Sequence, residues 1–337
     1  MMDAVICVAP GQLALERRPI PTRGADEVLI RVRNVGVCGT DMHIFRGTQP
    51  YLSYPRIMGH ELSGEVAEAP RDSHLKSGDP VCVMPYLSCG TCSACRKGRT
   101  NCCTHLEVLG VHRDGGLAEY LTVPAKFVFK ADGISLGEAA MIEFLAIGAH
   151  AVRRVEIKPG CKVLVVGAGP IGIATALFAK LLGAEVTALD GRDDRLDFCR
   201  DVLGLNHSVR VEPQTAEQLR ELTQGSWFDV VFDATGNSKA MEAGFSYVGQ
   251  GGSYVLVSIV NANIAFSDPE FHRREMTLLG SRNATPADFD QVLMAMRARK
   301  VPTQALNTHR VTLDRLPEIM PTWMAPSAGV IKGIVDC

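Results

Sequence analysis

With 337 residues, 46% of them hydrophobic, the chain exceeds one ordinary core and is long enough for two domains. A formal charge of −2, with Lys and Arg scattered rather than blocked, argues against a nucleic-acid surface and leaves small molecules as the expected partners. The longest uncharged stretch, 163–179, falls short of the ~20 residues of a membrane span and contains Gly167, Gly169, Pro170 and Gly172, so it reads as a buried strand and helix.

In chain order, residues 4–8, 27–35, 62–68, 80–84 and 117–123 are short β-rich segments punctuated by Gly, Pro and Asp, which predict a small barrel-like β domain. The character changes near Lys158-Pro159-Gly160. Strands are then expected at 162–166, 185–190, 229–233, 253–259 and 277–280, with helical periods at 171–182 and 195–203 between them. Strands separated by helices imply an α/β fold with a parallel sheet covered on both faces. Residues 287–300 read as one more helix, and 329–335 as a strand returned to the first domain. The expected division is 1–145 with 288–337, and 146–287. Glu16, Arg17 and Arg18 interrupt the apolar residues that a signal peptide would need, and eleven cysteines, an odd number, fit a reducing cytoplasm.

Three motifs carry chemistry. In Cys38-Gly-Thr40-Asp41-Met-His43 and Gly59-His60-Glu61 a soft ligand, an imidazole and a carboxylate recur, with Glu143 arriving later; three protein ligands with a fourth position open is the catalytic form of zinc. Singly, each of these residues is commonplace. Cys89-Gly-Thr-Cys92-Ser-Ala-Cys95, followed after seven residues by Cys103, asks for a second, tetrahedral and structural zinc in a lobe of about 86–105. Cys102 competes with Cys103 for the fourth place, and buried thiols or disulfides are the plain alternative. An iron–sulfur cluster fits less well, because its compact pattern places the fourth cysteine after three residues and before a proline, whereas Thr104 follows here. Finally, Gly167-Ala-Gly169-Pro170-Ile171-Gly172 lies between an apolar strand and a helix, with Asp190 ending the next strand. That is the dinucleotide fingerprint: tight turn, close approach of backbone to pyrophosphate, close helix packing, and an acid for the ribose hydroxyls. Asp190 favours NAD over NADP, while Arg192 and Arg195 leave the 2′-phosphate open. Thr235, in Asp233-Ala-Thr235-Gly236, and Ser258 are expected to line the nicotinamide.

With these motifs in order, the chain resembles the zinc-dependent medium-chain alcohol/polyol dehydrogenases over nearly its whole length. The resemblance implies a GroES-like barrel as the catalytic domain and a Rossmann doubly wound sheet as the NAD domain, and it assigns catalytic zinc to Cys38, His60 and Glu61 with Glu143 exchanging. Cys89, Cys92, Cys95 and Cys103 become the structural site. A glutamate at 143 is similar to sorbitol and threonine dehydrogenases, although the relatives usually follow it with proline and this chain has Phe144. Hydride leaves carbon readily only when the oxygen carries negative charge, and zinc supplies the acidity for that. Thr40 is placed by the resemblance to take the alcohol proton, relaying it through the nicotinamide ribose toward His43.

Arg56, shortly before His60, and Arg282, in Gly280-Ser281-Arg282-Asn283, suggest bidentate binding of a carboxylate. Ser281 is expected at the cofactor and Asn283 at the substrate. Arg56 as a solvated loop charge and Arg282 as a cofactor contact are the competing readings. The runs SYPRIMGHE, CRKGRTNCC, GVHRDGG and FSDPEFHRREMTLLGSRNATPADF resemble bacterial L-galactonate/L-gulonate 5-dehydrogenases, which implies a sugar acid oxidised with NAD. A sorbitol-type polyol or L-threonine dehydrogenase is the alternative, and a non-catalytic nucleotide-binding relative the remote one. The resemblance also implies a homo-oligomer, dimer or tetramer.

Overall fold

A computed structural model describes residues 1–49 and 52–337. The chain forms two compact units, Met1–Phe144 together with Ala284–Cys337, and Leu145–Asn283.

In the first unit the strand Glu27–Val37 is the hub. Its apolar positions Val28, Ile30, Val32 and Val35 are all at most 1% exposed, so the strand is enclosed. It pairs antiparallel with Tyr120–Pro124 near its start, with Glu61–Glu68 along its length, and with the terminal strand Lys332–Asp336 at its end. The sheet continues through Pro80–Val83 to Val128–Lys130 on one side and through Asn307–Thr312 on the other. A three-stranded sheet, Gln12–Arg18, Met2–Ala9 and Arg56–Ile57, adjoins it, through the isolated bridge between Ala4 and Ala118 among other contacts. The helix Pro286–Arg297 belongs to this unit because Phe289, fully buried, stacks on Phe129 at 5.3 Å. The change of unit therefore falls after Asn283, not after 287, since a helix that packs along one face cannot be divided two residues into its first turn.

The second unit is a six-stranded parallel sheet. Counted along the chain, its strands are Lys162–Val166, Glu185–Asp190, His207–Arg210, Phe228–Asp233, Val248–Leu256 and Thr277–Gly280, and their spatial order is 3-2-1-4-5-6. The first and fourth strands are therefore neighbours whose connections leave in opposite directions, which opens a crevice at their carboxyl ends. The helix Pro170–Leu181 is buried from Gly172 to Ala179, which explains why its sequence is apolar all round. Leu164, Val231, Phe228 and Tyr254 centre one core, and Phe245 meets Tyr254 edge to face at 4.8 Å. The strand His207–Arg210 and the helices Thr215–Leu222 and Ser238–Gly244 are short and rich in polar residues, and the structure adds them to the elements expected from the sequence.

Truncating Phe228, 1% exposed, to alanine removes a ring from this core. The expected cost is about 3–5 kcal/mol, read as a fall in the urea midpoint of the Phe228→Ala protein.

Candidate metal and cofactor sites

The four-cysteine lobe is built by a short helix, Ser93–Arg96, capped by Cys92, and a 3-10 turn, Thr100–Cys102. The sulfurs of Cys89, Cys92, Cys95 and Cys103 all lie within 4.8 Å of one another, and Cys102 is exposed outside the set. Backbone N–H groups donate to the sulfurs, from Cys89 and His105 to Cys103 and from Thr91 and Cys92 to Cys89, at 3.3–3.4 Å. Donors of this kind favour thiolate. They hold Cys92 down to about 5 and Cys89 down to about 7, while burial pushes Cys95 up to about 12. Four sulfurs gathered this closely form a donor set that a cation would draw into the thiolate state. Cys89 and Cys103 sulfurs are 3.4 Å apart, too far for a disulfide, and the donor set suits zinc.

The second donor set is Cys38, His60 and Glu61, again within 4.8 Å of one another. Cys38 caps the helix Gly39–Arg46, and Asp41 in its first turn ties the set together. One Asp41 oxygen accepts from the Cys38 N–H at 2.9 Å; the other accepts from the Gly59 N–H at 3.1 Å and stands 3.8 Å from His60 Nδ1. His60 is 4% exposed and its Nδ1 has no hydrogen-bond partner. A half-buried thiol gathered at one point with a buried imidazole and a buried carboxylate is chemistry that a zinc ion satisfies.

Sequence reasoning missed the residues behind this set. Lys332, 1% exposed, donates to both Glu61 oxygens at 2.7 and 2.6 Å and to the Val37 carbonyl at 3.3 Å, and its Nζ lies 4.4 Å from the centre of the Phe144 ring. Gly36 makes room for this pair, because a Cβ there would sit 2.2 Å from Glu61 Oε2. The one available signal was a lysine in the apolar run of the last strand. Glu143, in the first turn of Ile142–Arg153, accepts from the Tyr86 hydroxyl, and burial raises its carboxyl above the usual range. It faces the same charges but is not among the three donors within 4.8 Å. Thr40 and His43 sit one turn apart on Gly39–Arg46; Thr40 Oγ1 is 3.9 Å from Cys38 Sγ, and the exposed His43 has its Nδ1 3.0 Å from Thr48 Oγ1.

In the second unit Gly167 has φ of 91°, as the turn after Lys162–Val166 requires. A Cβ on Gly172 would lie 1.7 Å from the Gly167 carbonyl, so only glycine lets the helix pack there; a Cβ on Gly169 would meet nothing within 4 Å, which leaves space for an approaching phosphate. Pro170 opens the helix and Ile171 follows, both half-buried. Asp190 accepts from the Ala168 N–H at 2.6 Å and the Arg192 N–H at 2.9 Å, so it braces the turn. Arg192 grips Asp194 with two bonds at 2.9 and 2.8 Å, and Arg195 is 6% exposed, packed inward.

Thr235 and Ser258 stand where the fourth and fifth strands end, but both hydroxyls donate to Asp233 Oδ1, at 2.9 and 3.2 Å. Both hydroxyl oxygens also accept, Ser258 from the Gly236 N–H at 2.8 Å and Thr235 from the Asn237 N–H at 3.1 Å. Ser281 donates its N–H to the Leu256 carbonyl, and its Oγ is buried without a partner. Arg282 is exposed and Asn283 has a positive φ of 51°. Arg56 is held by Asp114 at 3.2 Å and Ser53 at 3.4 Å. In the run His272-Arg273-Arg274, Arg273 pairs with Glu270, and Arg274 donates to the carbonyls of Ser246 and Val248.

Residues 24–133 match the alcohol dehydrogenase GroES-like domain and 170–298 the zinc-binding dehydrogenase domain. The chain is 43% identical over 338 residues to the L-galactonate-5-dehydrogenase of Escherichia coli K12, covering 99% of this chain and 98% of that protein. It is 34% identical over 311 residues to the sorbitol dehydrogenase of Halalkalibacterium halodurans, covering 90% of each. The crystal structure of a short chain alcohol dehydrogenase from Escherichia coli CFT073, complexed with NADH, superposes with a TM-score of 0.93 at 27% identity, covering 100% of this chain and 99% of that one.

Cys103→Ser is expected to cost the protein about one equivalent of tightly bound metal by elemental analysis, whereas Cys102→Ser keeps the wild-type content. Gly172→Ala forces a Cβ into the Gly167 carbonyl, and fluorescence titration with NADH should show binding weakened by at least about tenfold.

Proposed function

The chain belongs to the zinc-binding alcohol dehydrogenases, a family of NAD(P)-dependent oxidoreductases, and from that premise we propose that it oxidises a secondary hydroxyl of a sugar acid, the C5 hydroxyl of L-gulonate or L-galactonate, with NAD as hydride acceptor. The donor set of half-buried Cys38 with buried His60 and Glu61, beside Thr40, is the observation that carries the chemistry. The likeness to the L-galactonate enzyme supports the substrate class.

Bound at this set, zinc supplies the Lewis acidity that lets an alcohol lose its proton near neutral pH. Cys38, His60 and Glu61 would hold the ion, with Glu143 as a further candidate ligand, and Cys89, Cys92, Cys95 and Cys103 would hold a second, structural ion. The Thr40 hydroxyl would accept the alcohol proton while passing its own to the nicotinamide ribose, and the exposed His43 would release the proton from that relay to solvent. Asp190, at the end of the second strand, binds ribose hydroxyls and repels a 2′-phosphate; Arg192 is committed to Asp194, which supports NAD over NADP. Gly167, Gly169 and Gly172 shape the phosphate turn. Thr235, Ser258 and Ser281 line the nicotinamide half, and Arg56, Arg282 and Asn283 recognise the sugar acid.

A polyol such as sorbitol is the second reading. Arg56 favours it, because its guanidinium is already paired with Asp114 and a substrate carboxylate would have to displace that partner. We further infer a cytoplasmic homo-oligomer, dimer or tetramer; eleven cysteines without a disulfide support a reducing compartment, and no helix among the described residues is long and apolar enough to cross a membrane.

Initial rates of NADH formation on L-gulonate, L-galactonate, sorbitol, galactitol and L-threonine decide the substrate. Aldonate turnover is expected to dominate, and Arg282→Ala to lower aldonate kcat/KM by about tenfold or more while sparing polyols. Equal losses on both classes would remove the carboxylate reading.

A further inference from the structure

Asp233 is used by none of the chemistry above. It ends the strand Phe228–Asp233, the first strand of the half sheet opposite the glycine turn, and it lies in register with Val166, the residue before Gly167. In a doubly wound sheet with a phosphate turn and ribose acid on one half, the second nucleotide, here nicotinamide, is taken by the carboxyl ends of the other half. Asp233 stands at that end, next to the switch point.

Its side chain is fully buried. Oδ1 accepts the Thr235 N–H at 3.0 Å, the Thr235 hydroxyl at 2.9 Å and the Ser258 hydroxyl at 3.2 Å. Oδ2 is buried with no hydrogen-bond partner, and among the described residues no Lys, Arg or His makes an ion pair with the carboxylate. Burial raises this carboxyl, and the three donors on Oδ1 oppose that. A proton on Oδ2 would lack an acceptor, so protonation exchanges one unsatisfied atom for another, whereas three donors on Oδ1 favour the charged form. The result is a negative charge with no cation beside it, in a low-dielectric setting where its field carries further than in water.

The nicotinamide ring is positive in NAD+ and neutral in NADH. We infer that Asp233 is a specificity-determining residue for the redox state of the cofactor: its uncompensated carboxylate favours binding of the oxidised nucleotide over the reduced one, and so favours loading with NAD+ and release of NADH. This rests on the reading of the second unit as a NAD site. Thr235 and Ser258 supply the hydroxyls that keep the carboxylate charged.

The test is the ratio of dissociation constants for NADH and NAD+, measured by fluorescence titration and competition with the zinc-replete full chain. Asp233→Asn keeps the shape and removes the charge, and it should shift the ratio against NAD+ by roughly five- to tenfold. Asp233→Glu, which keeps the charge, should shift it far less, and Asp233→Thr supplies the neutral comparison should the asparagine protein not fold. A packing role would weaken both nucleotides alike. An unchanged ratio in folded neutral variants overturns the inference, whereas failure of the wild type to bind either nucleotide overturns the NAD reading beneath it.

Discussion

Inside the sheet of the first unit, Lys332 and Glu61 face each other with side-chain exposures of 2% and 0%, separated by 271 positions in the chain. Neither charge reaches water. An ion pair so buried adds little net stability, but removing one partner leaves an uncompensated charge at a cost of about 3–5 kcal/mol. The pair therefore acts as a constraint. It requires Lys332–Asp336 to lie against Glu27–Val37, Glu27–Val37 to carry a glycine at 36, and Glu61 to point inward beside Cys38 and His60. The orientation of a candidate metal ligand thus depends on the last strand of the chain.

The same economy of buried charge recurs around it. Asp41 is 1% exposed and spends both oxygens on the segments that present Cys38 and His60. Glu143 is held by Tyr86, and Phe144 beside it offers its ring to the Lys332 ammonium. Two consecutive residues so serve the site from opposite directions, one by carboxylate and one by π face. The relatives' proline would offer no such face. In the second unit Asp190 and Asp233 divide the work likewise: Asp190 braces the phosphate turn, and Asp233 gathers the ends of the fourth and fifth strands.

Strands buried on both faces and a helix buried all round announce themselves by unbroken apolar runs, and for that reason 162–166, 171–182 and 185–190 were legible within a residue or two. Elements at the surface were not. Gln12–Arg18 and His207–Arg210 carry charged and polar side chains on exposed faces, and their pairing comes from neighbours rather than from their own pattern. Among candidate site residues, Gly167 and Gly172 were legible because each answers a local demand, a positive φ at the first and the absence of a Cβ at the second. Thr235 and Ser258 lie just past the ends of the fourth and fifth strands, and their hydroxyls serve Asp233. Direction of a side chain is a contest among hydrogen-bond partners that spacing does not encode.

The sequence by itself determined the order of motifs, the four-cysteine set and the glycine turn, because each is a short-range pattern, and the parallel sheet, because strands and helices alternate along the chain; Cys38, His60 and Glu61, lying in separate segments, were joined through the family resemblance. Only the tertiary structure decided that Cys103 rather than Cys102 completes the four-sulfur set, that Lys332 stands behind Glu61, that Arg56 is already paired with Asp114, and that Asp233 is buried without a cation. Each of these is a question of which partner reaches a group first in space. Adjacency in the chain leaves that open, whereas burial forces an answer, since a polar group away from water must take whichever partner the fold brings to it.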